Sequence, residues 1–318
     1  MFSPRSLLAV LALLALAGCQ SLPSLPGSTA ASEPSPPLAS PSVVVEAPKP
    51  PPRPPRIALA LGGGAARGFA HVGVIKALEA QGVHADIVVG TSAGSVVGAM
   101  YANGYNGFEL QKMALGMDEA SITDWASPIS GRGLIKGEAL QNYVNSVLRQ
   151  RPIERLPRKF AAVAADLKTG EMVVFERGNT GMAVRASSSV PGVFQPVPIN
   201  GREYVDGGLV SPVPARAARR LGADVVIAVD ISSKPGFQST ASTTDVLMQT
   251  FAIMGQAISA WELAEADVVI RPHLAATKST DFAARNLSIL EGEKAAAAQA
   301  GAIAAAIIRA KARIAAQP

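Results

Sequence analysis

From Ile57 onward the chain alternates short apolar runs with longer stretches whose apolar positions recur every three or four residues. The runs Ile57 to Leu61, Ile87 to Val89, Phe160 to Ala165, Met172 to Phe175, Val225 to Val229 and Val268 to Ile270 read as strands. Several are continuous rather than alternating, as expected where both faces of a sheet are covered. Helical spacing fits Gly68 to Gln81, Ala93 to Asn103, Gly107 to Met117, Gly137 to Leu148, Pro214 to Leu221, Asp245 to Ala266 and Glu291 to Ala316. Strands and helices in alternation predict an α/β fold, a three-layer α/β/α sandwich with a largely parallel central sheet. No internal repeat at a solenoid period is present.

The segment ahead of Ile57 has neither period. Residues 1–18 place Arg5 before an apolar run from Leu7 to Leu16 and close on small residues, the plan of a secretory signal peptide. The run is too short to cross a bilayer comfortably. Leu16-Ala17-Gly18-Cys19 resembles the lipobox of bacterial lipoproteins, whose cysteine becomes the acylated N-terminus after cleavage. That resemblance implies lipidation of Cys19, and acyl chains contribute about 0.8 kcal/mol per buried methylene to anchoring. Gln20 in place of Asp implies a lipid-anchored envelope protein sorted to the outer membrane and facing the periplasm. Half of the chain's 24 prolines fall between Gln20 and Arg56, mixed with Ser and Ala. This composition predicts a disordered spacer reaching roughly 100 Å if extended as polyproline II. The expected division is a signal peptide over 1–18, lipidated cysteine and linker over 19–56, and a globular domain over 57–318, the last long enough for one sizeable core.

Composition narrows the chemistry. Net charge is +5 with 29 basic and 24 acidic residues, a mild excess without a dense basic run, and aromatic residues are 5% of the chain. Nucleic acid is therefore not an expected partner. Cys19 is the one cysteine, which excludes an internal disulfide and a cysteine-based zinc cluster. The three histidines, His71, His84 and His273, are widely spaced and none is paired at i, i+4, so no metal site is expected.

Three segments carry candidate chemistry. In the first, Ile87-Val88-Val89 runs into Gly90-Thr91-Ser92-Ala93-Gly94 and then a helix of small residues. A serine on such a strand-to-helix turn is thrust out of the backbone, and Gly90 and Gly94 flank it because the turn leaves no room for a Cβ. The helix start beneath it favours the negative charge of acyl transfer. In the second, Gly62-Gly63-Gly64-Ala65-Ala66-Arg67-Gly68 lies between a strand and a helix carrying His71. A dinucleotide loop fails, because Arg67 occupies the sixth position from Gly62 and no acidic residue ends a strand about twenty residues on. A P-loop fails for want of Gly-Lys followed by Ser or Thr. Backbone N–H groups here suit an oxyanion hole, with Arg67 bracing the loop. In the third, Tyr204-Val205-Asp206-Gly207-Gly208 ends a short strand on a carboxylate that could take the Ser92 proton. A hairpin turn is the plain alternative for Asp206. His273 is the other candidate base, since Ser92, Asp206 and His273 follow the chain order of an α/β-hydrolase triad.

Taken together these segments resemble the bacterial branch of the patatin-like phospholipase family. The glycine loop with His71, Gly73 and Val74, the elbow Gly90 to Gly94, and Asp206-Gly207-Gly208 correspond in order to its defining blocks. Gly133 to Gly137, Ala165 to Gly170 and Arg185 to Gly192 add support. The resemblance implies a Ser/Asp dyad without a catalytic histidine, Ser92 as nucleophile and Asp206 as base. It places the oxyanion hole in Gly62, Gly63, Gly64, Ala65, Arg67 and Gly68; some family members carry glycine where this chain has Ala65. It further implies phospholipase A or esterase chemistry on acyl esters of membrane lipids, with no metal or organic cofactor. A catalytically idle lipid-binding envelope protein on the same fold is the alternative, against which the intact Ser92 and Asp206 argue. A peptidase or thioesterase using the same serine would differ only in its pocket. The helices Asp245 to Ala266 and Glu291 to Ala316 read as amphipathic cover for the sheet rather than as membrane-seeking elements.

Overall fold

The computed structural model describes residues 52–126, 132–232, 241–274, 277 and 281–317. The expected signal peptide, Cys19 and all but the last residues of the linker lie outside the described residues. Strands are β1 (Ile57–Leu61), β2 (Ile87–Thr91), β3 (Gly133–Ile135), β4 (Lys159–Asp166), β5 (Met172–Phe175), β6 (Gly192–Phe194), β7 (Val197–Ile199), β8 (Arg202–Asp206), β9 (Val225–Val229) and β10 (Val268–Ile270). Helices are α1 (Phe69–Ala80), α2 (Ala93–Ala102), α3 (Gly107–Gly116), α4 (Glu138–Val147), α5 (Thr180–Ser187), α6 (Ala215–Arg220), α7 (Thr243–Leu263), α8 (Arg285–Ala298) and α9 (Ala300–Ala315).

The main sheet runs β10-β9-β1-β2-β4-β8-β7, with β5 also paired to β4. Its first five strands are parallel, whereas β5 and β8 pair antiparallel to β4, and β7 antiparallel to β8. Helices cover both faces, so the three-layer α/β/α sandwich with a largely parallel sheet is the fold. The continuous apolar runs follow from this double cover: Leu59, Leu61, Val88 and Phe160 face one core, and Ala58, Ala60, Ile87, Val89 and Ala161 face the other. The second face meets the alanines of the short helix α6, Ala215, Ala217 and Ala218.

Register brings the three chemical segments together. Leu61 lies opposite Gly90 on β2 and opposite Val229 on β9. Thr91 lies opposite Val163, and the next residue of β4, Ala164, lies opposite Asp206. The glycine loop, Ser92 and Asp206 therefore leave the sheet side by side at one end.

Two features differ from the sequence pattern. The helix expected over Glu291 to Ala316 is two helices that begin at Arg285 and break at Gln299. Nothing in the alanine-rich stretch demands a break; packing sets it, with α8 against α1 and α9 turned so that Ile303, Ala306, Ala310 and Ile314 are buried. Helix α5 and the small β3–β6 sheet fall in short segments of mixed polarity that give no period. The described chain is also anchored before β1. Arg53 donates from both terminal nitrogens to Asp224 at 2.6 and 2.9 Å, and the Arg56 amide donates to the same carboxylate at 2.7 Å. These contacts hold the Asp224 carboxyl well below its ordinary range, at about 2.

The closest helix contact depends on two glycines. A Cβ on Gly73 of α1 would stand 1.8 Å from the Ile289 carbonyl oxygen, and one on Gly292 of α8 would stand 2.1 Å from that of Ala70. Gly292→Ala should therefore lower the unfolding free energy by about 3 kcal/mol or more by overpacking a backbone contact. Gly301→Ala, at a helical site with nothing within 4 Å of the new methyl, should be neutral or raise it by up to about 1 kcal/mol. Urea denaturation of both variants checks the pair, and an unchanged midpoint for Gly292→Ala would contradict the packing.

Candidate active site

Ser92 sits at the junction of β2 and α2 with φ 52° and ψ −124°. A non-glycine residue there is strained by about 1–3 kcal/mol and persists only where the surroundings hold it. Both of its peptide groups are held. The Ser92 amide donates to Ser187 Oγ at 2.9 Å, and that hydroxyl donates to the Val163 carbonyl at 2.6 Å. The Ser92 carbonyl accepts from the Ser95 amide at 2.8 Å and the Ser95 hydroxyl at 2.7 Å. The flanking glycines allow the turn: a Cβ on Gly90 would lie 2.4 Å from the Gly94 carbonyl oxygen, and one on Gly94 would lie 2.1 Å from that of Leu61. Thr91 is pinned from its side chain, which donates to the Ser211 carbonyl at 2.8 Å.

Asp206 ends β8 and is 6% exposed. Its Oδ1 accepts from the Gly208 amide at 2.7 Å. Its Oδ2 is buried without a partner of full hydrogen-bond geometry, yet the Ser92 hydroxyl lies near enough to pull the carboxyl pKa down. Burial outweighs both interactions and raises the Asp206 carboxyl from 3.8 to about 6. The turn after it needs glycine, because a Cβ on Gly207 would stand 2.2 Å from the Val163 carbonyl oxygen. Asp206 is thus clamped from its own amide, which donates to Ser189 at 2.9 Å, and from the chain that follows.

The glycine loop lies against the elbow, with the Cβ position of Gly63 only 3.2 Å from Ser92 Cβ. Its first two amides are not free: Gly62 donates to the Val229 carbonyl at 3.0 Å and Gly63 to the Pro212 carbonyl at 2.9 Å. These two glycines, expected as oxyanion donors, instead fix the loop to β9 and to the segment after Asp206. The Gly62 carbonyl accepts from His71 Nε2 at 2.8 Å, which sets the tautomer with the proton on Nε2. Burial depresses the His71 pKa to about 4, so the ring is neutral near pH 7. Arg67 is 8% exposed and its Nε donates to the Gly64 carbonyl at 3.4 Å, a brace within the loop. Burial lowers its pKa to about 10, against the attraction of Asp230. Gly68 is wedged against Ala93, its Cβ position 2.7 Å from that methyl. Among the described residues no backbone acceptor takes the amides of Gly64, Ala65 or Ala66, and Ala65 is held at φ 50° on the exposed side of the loop. The donor set available to an oxyanion is accordingly Gly64 to Ala66 together with the Ala93 and Gly94 amides at the start of α2, the Ser95 amide being taken by the Ser92 carbonyl.

His273 is not brought to Ser92. It is exposed beyond β10, and β9 and β1 lie between β10 and β2, roughly 14 Å of sheet at the usual strand spacing. Among the described residues no group of three His, Cys, Asp or Glu side chains could hold a metal ion.

The pattern of the sequence gave no role to Ser187, which the structure makes the strut beneath Ser92. Its neighbours Ser188 and Ser189 are equally small and polar, so only its place on α5 against β4 distinguishes it. Two supporting blocks are scaffold. Asp166 caps the turn after β4 by accepting from the Lys168 and Thr169 amides and pairs with Arg202 at 2.8 Å. Lys136 gives its carbonyl to Arg185 at 2.8 Å, tying β3 to α5.

An uncharacterized NTE family protein of Mycobacterium tuberculosis is 39% identical over 179 residues, 56% of this chain and 49% of the relative. Human patatin-like phospholipase domain-containing protein 6 is 32% identical over 231 residues, 70% of this chain and 16% of that protein. The chain thus spans about half or less of the length of these curated relatives. Among solved structures, VipD from Legionella pneumophila shares the fold, with a TM-score of 0.55 at 13% identity over 79% of this chain and 67% of that one. The family model for patatin-like phospholipases matches residues 59–219, just over half of the chain, a span that takes in the glycine loop, the elbow and Asp206; the chain belongs to the patatin-like phospholipase family.

Proposed function

We propose that this protein is a serine acyl hydrolase of the phospholipase A type, cleaving lipid esters with Ser92 and Asp206. One observation carries the reading: a serine forced outward at positive φ stands beside a buried carboxylate oxygen that lacks a full partner, under a loop with open amides. Family membership supports lipid esters as the substrate class.

In the proposed cycle Asp206 Oδ2 takes the Ser92 proton as Ser92 Oγ bonds to the ester carbonyl carbon. The amides of Gly64 to Ala66 and of the α2 start meet the charge on the carbonyl oxygen. Collapse breaks the ester C–O bond, and the leaving alcohol receives the proton from Asp206. Water then attacks the acyl-enzyme, giving its proton to Asp206, and the fatty acid departs as Ser92 is reprotonated. Near neutral pH a carboxyl with a pKa of about 6 is mostly ionised yet more basic than an ordinary aspartate. We also propose that Cys19 is lipidated, on the strength of the Leu16-Ala17-Gly18-Cys19 motif, and that it holds the protein at the bacterial outer membrane, on the strength of Gln20 after it.

Ser92→Ala and Asp206→Asn should each abolish hydrolysis of a soluble short-chain ester, and Ser92→Ala should also lose labelling by a fluorophosphonate. His273→Gln should keep most of the rate. Appreciable turnover by Ser92→Ala would sink the mechanism and leave a lipid-binding protein on this fold. For the active enzyme kcat/KM should rise with pH along one ionisation near 6 and level off above it.

Asp206 also sets a stability trend. Its folded pKa of about 6 exceeds the ordinary 3.8, so between those values the folded chain holds a proton that the unfolded chain has released. This carboxyl therefore favours folding at acid pH, and that contribution is lost as pH rises through about 6. Asp206→Asn should raise the unfolding free energy at about pH 7.5 by on the order of 3 kcal/mol, taking roughly 1.4 kcal/mol per pKa unit. The gain should fade as the pH is lowered through the window, and identical midpoints at both ends would contradict it. For the anchor, labelled palmitate should enter the wild-type protein and be absent from Cys19→Ser.

A further inference from the structure

Helix α7 is apolar on both sides. It runs 21 residues, about 32 Å at 1.5 Å per residue, and carries no charged side chain between Asp245 and Glu262. Gly255 faces the body, its Cβ position 3.7 Å from Pro212 Cγ, and Pro212 is the residue whose carbonyl holds the Gly63 amide. Counting 100° per residue from Gly255, the positions of Val246, Ile253, Ala257 and Trp261 fall on the far side. There Val246 is 51%, Ile253 54% and Trp261 74% exposed, and Met254, on the flank 100° from Gly255, is 50% exposed. A helix with two apolar faces is expected to bury both, and an exposed apolar stripe of this kind marks an interaction surface.

The two ends of α7 indicate what covers the stripe. At the N-terminal end Leu247 packs on Gly192, just past the segment that supports Ser92 and Asp206. At the C-terminal end the Arg216 guanidinium lies 5.7 Å from the Trp261 ring centre. Arg216 and Arg220 line two adjoining open cavities of about 350 and 370 Å³, and among the described residues neither forms a salt bridge. Of the carboxylates beside them, Glu171 faces Arg202 at 3.7 Å, Glu265 is exposed, and Glu262 is buried, accepts from the Arg216 amide at 3.0 Å and feels the charges of both Arg216 and Arg220, so the pair of cations faces one nearby buried carboxylate. Arg219 ties the same end to the chain's entry point, donating to the carbonyls of Glu265 at 2.9 Å and Asp224 at 3.2 Å, and Asp224 is clamped by Arg53.

We propose that the outward face of α7 docks in the plane of a lipid surface with anionic headgroups, Val246, Ile253, Met254 and Trp261 entering the acyl boundary and Arg216 and Arg220 meeting phosphates. The inference rests on the lipid-ester reading above and gives it an orientation. A helix lying flat, with an aromatic residue at one end and the cations of the neighbouring α6 beside it, suits such an interface. One end of α7 then sets the site rim at the membrane, and the other brings the entry of the N-terminal segment to the same surface.

The test uses the full chain carrying Ser92→Ala, so that binding is read without turnover, and Trp125→Phe, so that Trp261 is the one remaining tryptophan. With phosphatidylglycerol vesicles the Trp261 emission should shift to the blue and be quenched by brominated acyl chains. An N-terminal anchor alone would bring the protein to vesicles without moving that emission. Ile253→Ser/Met254→Ser should weaken the response about tenfold or more. In the Ser92 enzyme the same pair should lower hydrolysis of vesicle lipid by a similar factor and leave soluble-ester hydrolysis unchanged. Unmoved emission with phosphatidylglycerol would overturn the proposal, as would a protein dimer that the double substitution dissolves, which would assign the stripe to a second copy. An equal response to phosphatidylcholine vesicles would remove Arg216 and Arg220 from it. Loss of soluble-ester activity in the parent enzyme would instead count against the Ser/Asp reading, independently of docking.

Discussion

The structure turns on a set of backbone contacts too close for any side chain. Gly94 touches the end of β1, Gly90 touches the start of α2, and Gly207 touches the carbonyl of Val163 on β4. Each contact is made at or beside the end of a strand, so the glycines convert the regular spacing of the sheet into one rigid junction. Ser92 could not hold its conformation on an isolated turn. It holds because Ser187, Ser95 and Thr91 tie the turn to three different elements.

Burial then does different work on neighbouring groups. Asp206 is made more basic by loss of water, while His71 is kept neutral by the same cause. A charged imidazolium under the glycine loop would bring a positive charge into an apolar setting; the neutral ring supplies one directed N–H to the Gly62 carbonyl instead. The loop thus takes its shape from a neutral ring at Gly62 and from the Arg67 guanidinium at Gly64, and its open amides add to the local electrostatic field. Taking the Gly62 and Gly63 amides out of the donor set is part of that shape, because they are the points at which the loop is fastened.

Much of this was legible in the sequence, and for identifiable reasons. The runs around Leu59, Val88 and Val226 are apolar on both faces, which marks covered parallel strands, and the Gly-x-Ser-x-Gly spacing fixes the elbow wherever a strand precedes it. The identities of the free amides were not legible, because an N–H bonded to Val229 reads the same in sequence as one left open. The break at Gln299 was hidden by uniform alanine, whose helix propensity is indifferent to where packing requires a turn. Ser187 was hidden among three consecutive serines, distinguishable only by which one meets β4. The exposure of α7 was hidden because its apolar residues are as dense on the far side as on the near one.

The clamp at Asp224 has a mechanical meaning. Tension on the chain ahead of Arg53 is delivered to the head of β1, a strand flanked on both sides by parallel neighbours whose hydrogen bonds would all have to shear together. Asp224 passes part of that load to the head of β9, next door in the sheet. The glycine loop and Ser92 lie at the opposite end of the same strands. The body can therefore be pulled, swung or dragged from its N-terminal side while the strain stays at the foot of the sheet, remote from the atoms whose positions matter most.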